Sequence, residues 1–485
     1  MIISNSLLFQ KHKNSLIMLL VFTILHLPLL FLGPVNLEFA FGDLIKFFQN
    51  GNTLYFEQFT FYQANTIGLS FLGWLVSFFN FGINEILTIR ILNLFGAIIF
   101  VLSFLKIANY FKIKNIFFIN LFIMISPIFW TFSTRSTADM LPAALIMLSY
   151  SLFLYSKDDI HKTIIAALLF GLSLILKPLL IFMYIFFICL YFVDKQDFNL
   201  IKLLLFFLLS FLILFIFISL VYLNFDYVIT SVKFISIHLK TSLSLFFNNF
   251  VLYTGFITLA LSPFIFLGNF TKFIFKYFLW FVLGYIVIFF LGYTYIYDTG
   301  EMNFSFLENI IPKSIFNGIL LITTIIFFSS FYLNRPFHKN NVINRYFFIC
   351  ILFSLIFLSL MRPSQRYILI LLPFCFFLLP KINFKNKRIL YSTAVLILFV
   401  DLFISVNQYL KASVSKDMLD QISKYELIKI TDPGVINGSY GNYFFIYKDL
   451  QKEYIVVDYI DENSILSSSK KILFLKYNYS LIKSQ

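Results

Sequence analysis

Residues 126–142 read SPIFWTFSTRSTADMLP, and they lie between two hydrophobic segments that are each long enough to cross a lipid bilayer. The stretch contains one arginine and one aspartate, Arg135 and Asp139. Charged groups at the rim of a membrane are costly, so an Arg and an Asp one helical turn apart indicate a functional site. The alternative is a solvated connection between two helices, in which Asp139 caps the second helix.

The composition predicts an all-α protein that crosses the membrane many times. Of the 485 residues, 60% are hydrophobic and 12% are charged, whereas a soluble domain has about 25% charged residues. Apolar stretches of about 16–25 residues recur from Ser15 to Val406. A membrane β-barrel would instead show short segments of alternating hydrophobicity.

The distribution of the basic residues predicts the membrane topology. The net charge of +14 comes mostly from Lys and Arg in short loops, where they set orientation, and we therefore expect no nucleic-acid partner. Placing these loops in the cytoplasm predicts about thirteen spans and a C-terminus on the outer face. In this topology the short apolar run 66–81 does not cross. Arg135, Lys177 and Arg366 then share the outer face.

The composition changes after residue 406. We expect residues 1–406 to form the transmembrane domain and residues 407–485 to form a small polar α/β domain on the outer face. Two short runs, 454–458 and 471–476, have the β-branched and aromatic character of strands, and a turn at Asp432-Pro433-Gly434 precedes them.

The cysteines and histidines give no metal or disulfide pattern. The three cysteines lie inside apolar runs, and no two of the five histidines stand at helical ligand spacing. We therefore expect no bound metal or organic cofactor. The two carboxylates of the first outer loop, Glu38 and Asp43, leave open the binding of a divalent cation.

Four groups of charged residues fall on the predicted outer face. They are Glu38 with Asp43, Arg135 with Asp139, Lys177 before Pro178, and Arg362 with Arg366 before Tyr367. Arg and Lys bind a lipid phosphate and stabilise the charge that develops when it leaves. A carboxylate can remove the proton of an acceptor hydroxyl or amine. Basic and acidic groups on one face therefore favour chemistry on a lipid-linked phosphate.

Five short motifs occur in a recognisable order along the chain. They are Glu38 thirteen positions before Gly51, Arg90-Ile-Leu at the start of a span, Ser126-Pro127 followed by Arg135-Ser-Thr-Ala-Asp139-Met140, Gly171-Leu172 followed by Lys177-Pro178, and Arg366-Tyr367-Ile-Leu-Ile-Leu-Leu-Pro373. In this order they resemble the GT-C glycosyltransferases, and within them the protein-mannosyltransferase and aminoarabinose-transferase branch. The resemblance covers roughly residues 15–380.

The resemblance implies a function and a role for each residue. It implies transfer of a sugar from a polyprenyl-phosphate donor to a lipid, glycan or protein acceptor, among membrane lipids. Glu38 would be the general base, with Asp43 as the alternative, because the family more often has Asp or an Asp-Glu pair there. Asp139 would orient the acceptor or the sugar. The carrier phosphate would contact Arg135, Lys177, Arg362 and Arg366, with Tyr367 beside them. Composition favours a bacterial inner membrane, with the site on the periplasmic face.

Two other functions fit part of the pattern. A transporter or flippase for a lipid-linked glycan would share the basic lipid-phosphate site and the number of spans. Such transporters often have internal repeats and broken helices at the membrane midplane. The chain shows no clear repeat of halves, and its charges lie at one rim. A non-catalytic membrane scaffold would leave the four charged groups unexplained.

Overall fold

The computed structural model describes residues 12–32, 67–77, 85–113, 115–157, 159–193, 199–225, 243–267, 322–324, 326–327, 342–361, 365–378 and 387–423, and five strands between residues 434 and 484. Within these residues, five helices are long and apolar enough to cross a membrane, and three further apolar helices are shorter. The chain is therefore a helical membrane protein, as its composition predicts. The figure of about thirteen spans includes residues outside this set and stays a prediction.

The described helices are numbered in the order in which they occur along the chain. In chain order they are α1 (Lys13–Leu30), α2 (Ile67–Ser77), α3 (Glu85–Tyr110), α4 (Ile116–Met124), α5 (Pro127–Phe132), α6 (Met140–Leu154), α7 (Ile160–Leu176), α8 (Tyr184–Val193), α9 (Leu200–Phe225), α10 (Leu243–Leu267), α11 (Val342–Ser359), α12 (Leu372–Phe377) and α13 (Lys387–Ser423). Two 3-10 turns, Pro178–Met183 and Gln365–Ile368, lie before α8 and α12.

Local capping explains where two of these helices begin. The Ser126 hydroxyl accepts a hydrogen bond from the Phe129 amide at 3.4 Å, and Pro127 occupies the first turn of α5. Proline is favoured there because its missing N–H would have no partner within the helix. Asp159 caps α7 in the same way, since its carboxylate accepts from the Lys162 amide at 3.3 Å.

Helices α3, α6, α7 and α9 pack as a continuous layer. Helix α6 lies between α3 and α7, and α9 packs on the far side of α7. Two glycines permit close approach: a Cβ on Gly96 would lie 2.9 Å from the Cα of Leu141, and one on Gly171 would lie 2.9 Å from the carbonyl oxygen of Ser210. Larger side chains at these positions would push the helices apart.

A second group of helices, α10, α11 and α12, packs on this layer through α8. The hydroxyls of Tyr150 and Tyr346 lie 2.5 Å apart, and the Tyr346 hydroxyl also donates to the carbonyl of Phe186 at 2.7 Å. These contacts join α6, α8 and α11 in the buried core. Because buried hydroxyls need hydrogen-bond partners, the contacts also fix how the helices face one another.

Helices α1 and α13, the first and last of the described helices, meet at α5. The Nε2 atom of His26 in α1 lies 3.1 Å from the carbonyl oxygen of Trp130. The indole nitrogen of Trp130 donates to the hydroxyl of Ser405 in α13 at 2.8 Å. A short polar chain therefore connects α1, α5 and α13 within an apolar bundle.

The apolar run 66–81 contains the short helix α2. The described helix has 11 residues, which rise about 16 Å, whereas the hydrocarbon core is about 30 Å thick. The rest of the run lies outside the described residues, so its failure to span stays a prediction. Helix α2 packs on α3 and α7. A Cβ on Gly68 would clash with the backbone of Ile175, just before Lys177, so α2 lies directly on the end of α7.

The tail carries an antiparallel sheet. The strands are β1 (Gly434–Asn437), β2 (Tyr443–Lys448), β3 (Glu453–Val457), β4 (Lys470–Lys476) and β5 (Tyr479–Ser484), in the spatial order β1-β2-β3-β5-β4. Strands β3 and β4 coincide with the two predicted β-like runs. In the described tail the only helix is the end of α13, which continues past residue 406 without interruption.

Candidate functional site

The charged segment between α5 and α6 is a buried bend. The Ser133 hydroxyl donates to the Phe129 carbonyl at 2.6 Å, and the Thr137 amide donates to the Arg135 carbonyl at 2.9 Å. Asp139 stands at the first turn of α6 but makes no capping hydrogen bond with its side chain. The alternative of a solvated, capping aspartate is therefore wrong, because Asp139 is buried and turned toward other partners.

Two cations from distant parts of the chain meet the carboxylate of Asp139. The Nζ atom of Lys177 forms a close ion pair with Oδ1. A guanidinium nitrogen of Arg366 lies 3.8 Å from Oδ2. The side chains of Asp139 and Lys177 are 1% and 7% exposed, whereas that of Arg366 is 22% exposed. Arg366 is thus the most exposed of the three side chains in this ionic cluster.

The end of α7 places Lys177 at this point. Helix α7 ends at Leu176, and Pro178 begins the following 3-10 turn. A proline disfavours helical backbone at the residue before it, so the chain leaves the helix at Lys177. The Lys177 amide still donates to the Ser173 carbonyl at 2.8 Å, which fixes the backbone while the side chain turns inward.

The ring of Tyr367 lies beside both cations. The Nζ atom of Lys177 is 4.7 Å from the ring centroid, and the guanidinium carbon of Arg366 is 5.6 Å from it. A cation over an aromatic face at this distance is attracted by the negative potential of the ring. Tyr367 is itself buried, so it provides a fixed surface against which both cations are held.

The electrostatics of the ionic cluster keep the carboxylate charged. Burial alone would raise the pKa of Asp139, but the charges of Lys177 and Arg366 outweigh it, and the pKa lies below its ordinary value of 3.8. Among the described residues, two cations contact this one carboxylate. Two basic side chains at one point suit the binding of an anionic group such as a phosphate.

The structure brings together four of the predicted site residues: Asp139, Lys177, Arg366 and Tyr367. Arg135 is buried in the same bend as Asp139. Glu38, Asp43 and Arg362 lie outside the described residues, so their positions stay predictions. Among the residues that are described, no three His, Cys, Asp or Glu side chains are grouped as metal ligands would be.

Three polar residues outside the predicted site bind the backbone around the ionic cluster, and two of them, both asparagines, were not predicted from the sequence. Arg90 donates to the carbonyls of Leu30 and Leu32 at the end of α1. Asn93, one turn later in α3, contacts the bend that carries Asp139, and Asn249 in α10 contacts the end of α11. A motif containing Arg90 was noted, but the two asparagines sit in apolar runs and carry no charge that would mark them.

Comparison with known proteins gives a fold but no family. No family model and no curated protein matches the chain. Among solved structures, ArnT from Cupriavidus metallidurans bound to undecaprenyl phosphate is similar over 98% of this chain and 98% of that chain, with a TM-score of 0.50 and 13% sequence identity. The same protein in the apo state covers 96% of this chain and 97% of its own, with a TM-score of 0.48 and 12% identity. The chain therefore shares the fold of ArnT over nearly its whole length, which confirms the fold expected from the motif resemblance.

Proposed function

We propose that the protein is an integral membrane glycosyltransferase that moves a sugar from a polyprenyl-phosphate donor to an acceptor on the outer face. The observation that carries the proposal is the ionic cluster of Asp139, Lys177 and Arg366, in which two basic side chains meet at one buried carboxylate and Arg366 is 22% exposed. The ArnT structure with the similar fold contains undecaprenyl phosphate, a polyprenyl phosphate, which supports the ligand class. The positive-inside pattern supports a periplasmic position for the site in a bacterial inner membrane.

In the proposed reaction, the phosphate gains negative charge that the two cations would stabilise. The oxygen or nitrogen of the acceptor attacks the anomeric carbon of the sugar. The bond from that carbon to the phosphate oxygen breaks, and its electron pair stays on the phosphate. A phosphodiester with one negative charge becomes a phosphate monoester with up to two. Lys177 and Arg366 would stabilise this added charge more in the transition state than in the bound donor.

The proton of the acceptor needs a base, and Asp139 does not suit that role. Its carboxylate is occupied by an ion pair with Lys177, and its lowered pKa makes it a weak proton acceptor. In the proposal Asp139 orients the acceptor or the sugar and holds the two cations. The base is Glu38, with Asp43 as the alternative, as the family resemblance implies.

A direct assay tests the proposal. Purified protein in detergent is incubated with radiolabelled polyprenyl-phosphate sugars and with candidate lipid, glycan and protein acceptors. We expect release of free polyprenyl phosphate together with labelled acceptor. Protein that carries a lipid-linked glycan across reconstituted vesicles without releasing the carrier would show a flippase instead. A protein that neither releases nor moves the lipid would contradict both functions.

The two first-loop carboxylates can be separated in the same assay. Loss of a general base lowers turnover by about 10²–10⁴-fold, whereas loss of a helix cap lowers stability by about 1 kcal/mol. We expect Glu38→Gln to abolish transfer with carrier binding intact, and Asp43→Asn to lower mainly the melting temperature. The opposite pattern would reverse the two roles. Full activity in both variants would show that neither carboxylate of this loop is the general base.

A further inference from the structure

Two buried asparagines make the same unusual contact at two separate bends. The side-chain nitrogen of Asn93 lies 2.6 Å from the carbonyl oxygen of Arg135 and 2.8 Å from that of Thr137. The side-chain nitrogen of Asn249 lies 3.1 Å from the carbonyl oxygen of Ser359 and 2.8 Å from that of Met361. In each case one amide group donates both of its hydrogens to carbonyls two residues apart.

The bend held by Asn93 has a further bond that fixes its exit into α6. The Oδ1 atom of Asn93 accepts from the Leu141 amide at 3.0 Å. Asn93 therefore contacts the chain both before and after Asp139. Gly96, one turn further along α3, has no side chain, and this lets the backbone at Leu141 approach the helix closely. Asn93 of α3 therefore fixes the backbone on both sides of Asp139.

The bend held by Asn249 leads into the other side of the ionic cluster. Met361 lies two residues past the end of α11, and the described chain resumes with the 3-10 turn that contains Arg366 and Tyr367. The two bends come from different helix groups, and the contact of Arg366 with Asp139 at 3.8 Å bridges them. Each bend is hydrogen-bonded to an asparagine on a long neighbouring helix, and the two bends precede the two residues that make this contact.

We infer that Asn93 and Asn249 are paired positioning residues, which set the separation of Asp139 and Arg366 at which the site takes a polyprenyl phosphate. The ligand named here rests on the proposed function, whereas the holding of the two bends does not. The chemistry requires an amide. A carboxylate would have no hydrogens to donate, and an apolar side chain would leave buried carbonyls unpaired.

The test replaces each asparagine by leucine, which has a similar volume and no polar atoms. Asn120→Leu is the matched control, because Asn120 is fully buried in α4 and its amide has no hydrogen-bond partner in the described part of the chain. Each variant is purified in detergent. Hydrogen exchange is measured by mass spectrometry on peptides covering 133–141 and 358–368, and binding is measured with sugar-free polyprenyl phosphate.

We expect each variant to loosen only its own bend. Asn93→Leu should accelerate exchange in the first peptide, and Asn249→Leu in the second, while Asn120→Leu changes neither. Both variants should weaken polyprenyl-phosphate binding by about 10–100-fold, because displacing a binding group by about an ångström has effects of this size. On an Arg366→Ala background, Asn249→Leu should weaken binding much less, since the group it positions has been removed.

Three results would overturn the inference. Exchange in both bends that matches the control would show that the asparagines do not hold them. Faster exchange with unchanged binding would show a purely structural role. An undiminished effect of Asn249→Leu on the Arg366→Ala background would show that it does not act through Arg366. If the wild-type protein itself fails to bind polyprenyl phosphate, the proposed function fails, and exchange alone then decides whether the asparagines hold the bends.

Discussion

Asp139 and Asp401 are both fully buried aspartates in an apolar bundle, but their surroundings differ. Asp139 lies at a helix end, where Lys177 and Arg366 contact its carboxylate. Asp401 lies within α13, and neither of its carboxylate oxygens has a hydrogen-bond partner among the described residues. The backbone carbonyl of Asp401 accepts a hydrogen bond from the hydroxyl of Ser405 at 2.9 Å.

The difference shows that burial of an acid does not by itself mark a binding site. An acid inside a membrane protein is a functional candidate by default, and that rule alone would rank the two aspartates together. What separates them is the set of cations around Asp139, which come from two other segments of the chain. The comparison predicts that substitutions at the two positions have very different effects.

The largest expected effect comes from Asp139→Asn. The change removes the carboxylate that Lys177 and Arg366 both contact, and breaking a buried ion pair typically costs about 3–5 kcal/mol. We expect a large fall in the melting temperature in detergent and loss of transfer. The double variant Asp139→Asn with Lys177→Met should regain part of the stability, because it also removes the buried lysine that has lost its ion pair with Asp139. No recovery in the double variant would mean that the ion pair is not the source of the loss.

The pH dependence of stability also tests the role of the ion pair at Asp139. The folded-state pKa of Asp139 lies below its ordinary value of 3.8. The stability that the ion pair contributes is therefore fully present above that pH and is lost as the pH falls below it. We expect the difference in melting temperature between wild type and Asp139→Asn to stay constant from about pH 8 to pH 5 and to shrink below about pH 4. A difference that already shrinks between pH 7 and pH 5 would contradict the lowered pKa.

Arg366→Ala should act mainly on function. The side chain is 22% exposed, so its removal costs less stability than a change at Asp139. A charge-assisted hydrogen bond contributes about 1.5–3 kcal/mol, which corresponds to a loss of roughly 10–150-fold in kcat/KM. Both donor binding and turnover should fall. Arg388→Ala, an exposed residue at the start of α13, serves as the control. Equal effects of the two substitutions per folded molecule would indicate that Arg366 only anchors the chain.

The smallest effect is expected from Asp401→Asn. The amide has the same shape, and no described side chain depends on a charge at this position. We expect a change in stability within about 1 kcal/mol and transfer near the wild-type level. The measurement is the melting temperature together with the transfer assay. A loss as large as that of Asp139→Asn would mean that Asp401 has a partner outside the described residues, and it would remove the contrast between the two acids.

The parts of the site that sequence could predict are those that break an apolar background. Asp139, Lys177 and Arg366 stand out because charges are rare in this chain and each lies beside a proline or a helix end. The sequence predicted that these three residues lie on the same face of the membrane. It did not predict that their side chains contact one another, because the pairing depends on how α6, α7 and the turn after α11 pack. Asn93 and Asn249 were missed, since an uncharged amide within an apolar run leaves hydropathy almost unchanged.

Some elements of the fold could likewise be predicted from the sequence, and others could not. Hydropathy marks membrane helices well because each needs about 20 apolar residues. It marks the end of α13 poorly, because the helix continues to Ser423 through polar residues that remain good helix formers. Strands β3 and β4 were predicted from their β-branched runs. Strands β1, β2 and β5 were not, since their pairing depends on neighbours elsewhere in the tail.

The hydrogen bond from Trp130 to Ser405 sets a constraint on how the protein is made. The two residues are 275 positions apart in the chain. At about 5–20 residues per second, a ribosome needs roughly 14–55 s to progress from one to the other. During that interval α1 and α5 are already in the membrane while the indole nitrogen of Trp130 still lacks its acceptor. The contact between α5 and α13 therefore forms late in synthesis. In a chain that ends before α13, we expect the face where α1 and α5 meet α13 to remain uncovered.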